Sequence, residues 1–252
     1  MKPAFAALLI FAATPALAGT IDTNEIHLEN SPPWLTDGRM AKVVSHIEDV
    51  MEWDIRKVNV YWYSDQGAFQ KMHGYDSSVL AFSRRSDGSV HVGPRVTNDN
   101  FDWAFGHELT HIANYQKYKT SIPSWLDEGL ANYVARHTEV DFTWLASRPF
   151  QDVHTFAHPF RAGGDPLYGY TASTALVEFI ASKCSLTDLL QLSVGKNLES
   201  YLSTLCGIDD VNAGFKKWVL SKAKPVKVSP PSSTVPQRHP RAKAEADQKD
   251  PR

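Results

Sequence analysis

Phe105-Gly106-His107-Glu108-Leu109-Thr110-His111-Ile112 is the stretch that decides how the rest of this 252-residue chain is read. On an α-helix, residues four apart lie on one face, a turn from each other, so the imidazoles of His107 and His111 can reach a single ion. Glu108 sits beside the first histidine but points to one side, where it can hold a water molecule rather than ligate. The pattern is helical from Phe101 to about Tyr118. It puts Phe105, Leu109 and Ile112 on a buried face and His107, His111, Asn114 and Tyr118 on another.

A catalytic zinc site takes three protein ligands and keeps one position for water. One route to the third ligand is a histidine six residues after His111, with a glycine three residues after it. Lys117 and Asn114 stand there, which excludes that route. The other route is a carboxylate on the next helix. Pro123-Ser124-Trp125-Leu126-Asp127-Glu128-Gly129-Leu130-Ala131 offers two, Asp127 and Glu128. Glu128 follows His111 by 17 residues, enough for a turn and an antiparallel return.

The two segments in this order resemble the gluzincin metallopeptidases, and within them the small peptidase MA-like domains, over roughly Val58 to Val219. The resemblance implies an α+β, zincin-like fold: a small mixed β-sheet followed by a helical half, with the His107–His111 helix between them. It implies one Zn2+ per chain, held by His107, His111 and Glu128 in preference to Asp127, and Glu108 as the general base. It further implies that Asn132, one turn beyond Glu128, supports a ligand histidine. Tyr170, opening Tyr170-Thr171-Ala172-Ser173, resembles the oxyanion-stabilising tyrosine, with Tyr168 as the competing hydroxyl. Val90 to Gly93 resembles the edge strand that pairs with an extended substrate. The implied activity is hydrolysis of peptide bonds in peptide or protein substrates. Aminopeptidases of the same clan carry a Gly-x-Met-Glu-Asn segment before the zinc helix; none is present here, which points to an endopeptidase or a narrow specialist. The competing readings are a catalytically silent zincin-fold binding protein of the cell envelope and a zinc hydrolase of a non-peptide substrate.

Outward from the centre, the pattern predicts helices from Asp37, as cap, to about Trp53, around Gln66 to Met72, and from Ser124, as cap, to about His137. Val58 to Tyr63 reads as a strand. Ser78–Ser83 and Ser89–Gly93 read as a hairpin around Asp87-Gly88. Thr20 to Pro33 looks polar and irregular, and residues 138–167 look loop-rich. Further helices are expected over about Tyr168–Lys183, Leu186–Leu192, Leu198–Leu205 and Asp209–Lys222. The spaced pair His154 and His158 lacks an adjacent glutamate and reads as incidental. His91 is expected to be an exposed strand histidine.

Lys2, the apolar run Ala4 to Ala13 and Ala16-Leu17-Ala18 read as an export signal over residues 1–18, too short to span a bilayer. Residues 19–224 would form the catalytic domain, and 225–252, rich in Pro, Ser, Lys and Arg, a disordered tail. The protein is therefore expected to be periplasmic or secreted, without stable membrane insertion after cleavage. A formal charge of −2 argues against a nucleic-acid partner. Cys184 and Cys206 are the two cysteines; in an oxidising compartment they point to one disulfide, with two buried thiols as the alternative. Oligomeric state is left open.

Overall fold

Five strands form one mixed sheet, in the order β1-β2-β3-β5-β4: β1 (Gly19–Asp22), β2 (Ile26–Ser31), β3 (Val58–Trp62), β4 (Ala81–Arg84) and β5 (Ser89–Val92). The computed structural model describes residues 19–75, 78–136, 139–156 and 165–224. The export-signal segment, the tail after 224 and His158 lie outside the described residues. β2, β3 and β5 run parallel, while β1 and β4 flank them antiparallel. The chain is thus α+β, as expected.

The sheet differs from expectation in three places. Residues 20–33 hold β1 and β2 rather than irregular chain. Ile26 and Leu28 point into the core and pair in register with Val58 and Val60, while His27 and Glu29 face outward. The hairpin is present, but its second strand, β5, lies inside the sheet and pairs with both β3 and β4. Among the described residues the sheet edges are β1 and β4, and the hairpin's edge strand is β4, so the expected edge strand, Val90 to Gly93, is corrected to Ala81–Arg84. An interior strand covered on both faces has no exposed side, and His91 is accordingly buried at 2% exposure rather than open to solvent. It stacks on Phe82 and Tyr61 and exchanges hydrogen bonds with Tyr63 Oη at 2.9 Å and Ser89 Oγ at 3.0 Å.

Helix α1 (Asp37–Met51) buries Met40, Val43, Val44, Ile47 and Met51, one stripe at helical spacing. Its cap is Thr36, which accepts from Arg39 N, not Asp37. α2 (Gln66–His73) sets Phe69 against Tyr63 and Phe82. α3 (Phe101–Tyr118) packs on β4, β5 and α1 and is buried on nearly every side. α4 (Ser124–Ala135) follows with Pro123, not Ser124, in the capping position. The 138–167 stretch, expected to be loop, contains α5 (Phe142–Ala146) and a 3-10 turn at Val153–Thr155. In that turn His154 bonds Asp152 and Glu199, at 2.8 and 2.7 Å. α6 (Pro166–Ala181), capped by Asp165, leads to α7 (Leu186–Ser193), α8 (Leu198–Cys206) and α9 (Val211–Lys222). Among the described residues, no helix is long and apolar enough to cross a membrane.

Cys184 and Cys206 are joined by a disulfide that closes a 22-residue separation between the end of α6 and the end of α8. A loop of that size restrains the unfolded chain by about 3 kcal/mol in a chain-entropy treatment. α4 and α6 cross in close contact at Gly129. A Cβ placed there would lie 2.7 Å from the carbonyl carbon of Ser173 and 2.8 Å from Val177 Cγ2. Glycine next to Glu128 is therefore what lets α6 approach. Gly129→Ala is expected to cost about 1–3 kcal/mol, measured as a lower urea midpoint; an unchanged midpoint would contradict so close a crossing.

Burial, reinforced by Arg84, lowers the pKa of His91 from 6.5 to about 4, against the opposing pull of Asp87. The unfolded chain takes up this proton more readily than the folded one, so stability contributed by neutral His91 falls as pH drops from about 6.5 towards 4. In His91→Gln that part of the stability–pH curve should flatten.

Candidate metal centre

α3 and α4 together carry the site. His107 and His111, a turn apart on α3, turn their Nε2 atoms to within 3.2 Å of each other. Glu128, in the first half of α4, meets both: Oε2 lies 3.5 Å from His107 Nε2 and Oε1 lies 3.7 Å from His111 Nε2. All three residues are buried, and their donor atoms fall within 4.8 Å of one another.

The far sides of both rings are engaged. His107 Nδ1 donates to Asn132 Oδ1 at 2.9 Å, and His111 Nδ1 donates to Asp127 Oδ2 at 3.0 Å. With the hydrogen on Nδ1, each neutral ring presents a lone pair at Nε2. Two lone pairs and a carboxylate then converge on one buried point, an arrangement that repels itself unless a metal ion or a proton is bound there. The residues present fit a metal ion.

Asp127, the competing carboxylate in the sequence, does not reach the convergence point. It accepts from His111, from Asn114 Nδ2 at 3.0 Å and from Arg85 Nη2. Burial alone would raise its pKa, but His111 and Arg85 hold it well below the usual carboxylate range. Burial also disfavours charge on His111, yet Asp127, Glu128 and Glu108 outweigh it and raise its pKa to about 9. The two shifts are complementary: the carboxylates around His111 favour positive charge at the centre, and the cations around Asp127 keep that carboxylate ionised.

A cleft of about 610 Å³ opens over the centre. Glu108 is half-buried in its wall, and β4, ending at Arg84, with the adjoining Arg85 forms one side. Tyr170 on α6 also lines it, its ring 6.3 Å from that of His107. Burial, with Glu128 and Glu108 close by, pushes the Tyr170 phenol upward, so it keeps its proton and remains a donor. Tyr168 points elsewhere: its hydroxyl accepts from Gln151 N at 3.1 Å and its ring packs on Phe156. Of the two candidate tyrosines, only Tyr170 reaches the cleft.

The structure therefore gathers His107, Glu108, His111, Glu128, Asn132 and Tyr170. Sequence reasoning missed Arg85, which has no spacing signal because it enters from the hairpin, and the supporting position of Asp127. Compared with known proteins, the chain matches no family model and no curated protein sequence.

Asn132→Ala and Asp127→Asn each remove or weaken a bond that orients a ligand ring. Each is expected to weaken metal binding about 10–100-fold, measured by competition with a chromophoric chelator. Wild-type affinity in both variants would show that these bonds do not orient the rings.

Proposed function

We propose that the chain is a zinc-dependent peptidase of the gluzincin type, exported through the segment at residues 1–18. One observation carries this: two imidazoles and one carboxylate converge beside Glu108 and Tyr170, under a cleft bordered by a free strand edge. Zinc suits the donor set. Nitrogen and oxygen ligands bound tetrahedrally at about 2.0–2.1 Å stand roughly 3.3 Å apart, close to the 3.2, 3.5 and 3.7 Å between the donor atoms.

When bound, zinc supplies Lewis-acid polarisation of a carbonyl and of the attacking water. The remaining work falls to the chain's own residues. Glu108 takes the proton from the water and passes it to the leaving amine nitrogen. The Tyr170 hydroxyl donates to the carbonyl oxygen as charge develops on it. An extended peptide pairs its backbone with the free edge of β4, which holds the scissile bond over the centre. Asn132 and Asp127 keep the two imidazoles in the ligating tautomer.

The test is a cleavage profile on a diverse peptide mixture, read by mass spectrometry. Glu108→Gln should keep its zinc and lose about 10²–10⁴ in rate. Tyr170→Phe should also keep zinc and lose about 10²–10³. Cuts made by Glu108→Gln at the wild-type rate would overturn the mechanism. Absence of cuts from folded, zinc-loaded wild-type protein would favour a silent binding module.

A further inference from the structure

The cleft is asymmetric in charge. Among the described residues that line it, the carboxylates are Glu108 and Glu128, both committed to the centre. The other formal charges are Arg84 and Arg85, consecutive residues where β4 runs into the hairpin turn. Arg85 gives Nη2 to Asp127, yet its side chain stays 47% exposed. Arg84 stands 3.5 Å from Asp87 and is 38% exposed. A guanidinium presents several donors in a planar fork, so one engaged nitrogen does not exhaust it. A divalent ion would offset Glu108 and Glu128, and the two arginines offset Asp127 and Asp87, which leaves their remaining N–H donors as the cationic groups facing the cleft.

The direction in which a peptide lies follows from the strand and the helix. Arg85 marks the His111 end of the cleft, since its Nη2 comes within 3.5 Å of His111 Nδ1. Trp103, also lining the cleft, precedes His111 by eight residues on α3 and so lies about 12 Å back along the helix axis. β4 runs from Ala81 towards Arg85. A peptide adding to its free edge in antiparallel pairing, the more stable of the two senses, runs the other way. Its N-terminal residues then lie at the Arg84–Arg85 end and its C-terminal residues at the Trp103 end.

We infer that Arg84 and Arg85 are specificity residues that select an Asp or Glu side chain on the N-terminal side of the cleaved bond. The inference rests on the peptidase reading above, and it names the substrate class of that same site: peptides acidic just before the cut. A charge-assisted, forked contact of this kind should favour Glu over Gln about tenfold or more. Because both arginines are partly solvated, the preference should shrink as salt is raised.

The experiment uses two peptide pairs built on a sequence that the protein cleaves. One pair carries Glu or Gln just N-terminal to the cut, and the other carries the same exchange just C-terminal to it. Ratios of kcat/KM are taken within each variant, so any loss of metal affinity through the Arg85–Asp127 contact lowers both members alike. Expected are a ratio of about ten or more for the N-terminal pair in wild type, a smaller one in Arg84→Glu, and one near unity in Arg84→Gln/Arg85→Gln. A wild-type ratio near unity, a preference confined to the C-terminal pair, or full preference surviving in the double variant would overturn the inference. The same labelled peptides, titrated by fluorescence anisotropy against zinc-loaded Glu108→Gln, keep the two readings apart. Where no cleaved sequence exists, a mixture of extended peptides of varied sequence, in versions that carry Glu or Gln at one fixed position, takes their place. If wild type cuts nothing, the peptidase reading fails, and the Glu/Gln ratio of dissociation constants still decides whether the two arginines select an acidic side chain. Equal affinity for Glu and Gln peptides, or no binding, overturns the inference there as well.

Discussion

A carboxylate has to be held against two imidazoles in an interior with little water, and Glu128 can be held there only because α4 is packed between α3 and α6. Burying a charge is expensive unless it is compensated at close range. Here the compensation comes in layers. A cation held at the convergence point would answer Glu128. Asn132 and Asp127 take up the outer nitrogens of the two rings, and Arg85 with Asn114 takes up the charge of Asp127. Gly129 adds the steric condition, since any side chain there would drive α6, and Tyr170 with it, away from the centre.

The helix that bears the histidines is fixed at both ends, which suits a site that needs sub-ångström placement. At its start, Arg39 reaches from α1 to Asp102 at 2.8 Å and lies over the ring of Phe101. At its end, Gln116 accepts from Arg56 N at 2.8 Å, and Lys117 Nζ donates to Met51 O at 2.8 Å. These bonds tie α3 to the C-terminal end of α1 and to the chain leading into β3. The candidate metal ligands therefore stand on tied-down helices, while the cleft's other wall comes from the β4–β5 hairpin.

Much of the centre was legible because it depends on local spacing. A four-residue interval on a helix and a carboxylate one turn into the next helix survive without tertiary knowledge, and α3 has the bounds its pattern predicts. What escaped depends on partners distant in sequence. β1 and β2 are short, and their two-residue alternation becomes decisive only once Ile26 and Leu28 meet Val58 and Val60. His91 is polar and looked solvent-facing, but strand order places it between β3 and β4, under Phe82 and Tyr61. The same strand order moves the hairpin's free edge from β5 to β4. Arg85 has no local signature, because its meaning comes from Asp127, 42 residues later.

The central claim is that one metal ion joins α3 to α4 through His107, His111 and Glu128. Zinc K-edge X-ray absorption on the purified, zinc-loaded protein tests it most directly. The expected spectrum shows one zinc per chain with two imidazole ligands and the remaining positions filled by oxygen, at about 2.0–2.1 Å. A spectrum without imidazole scattering, or zinc bound well below one per chain, would contradict it.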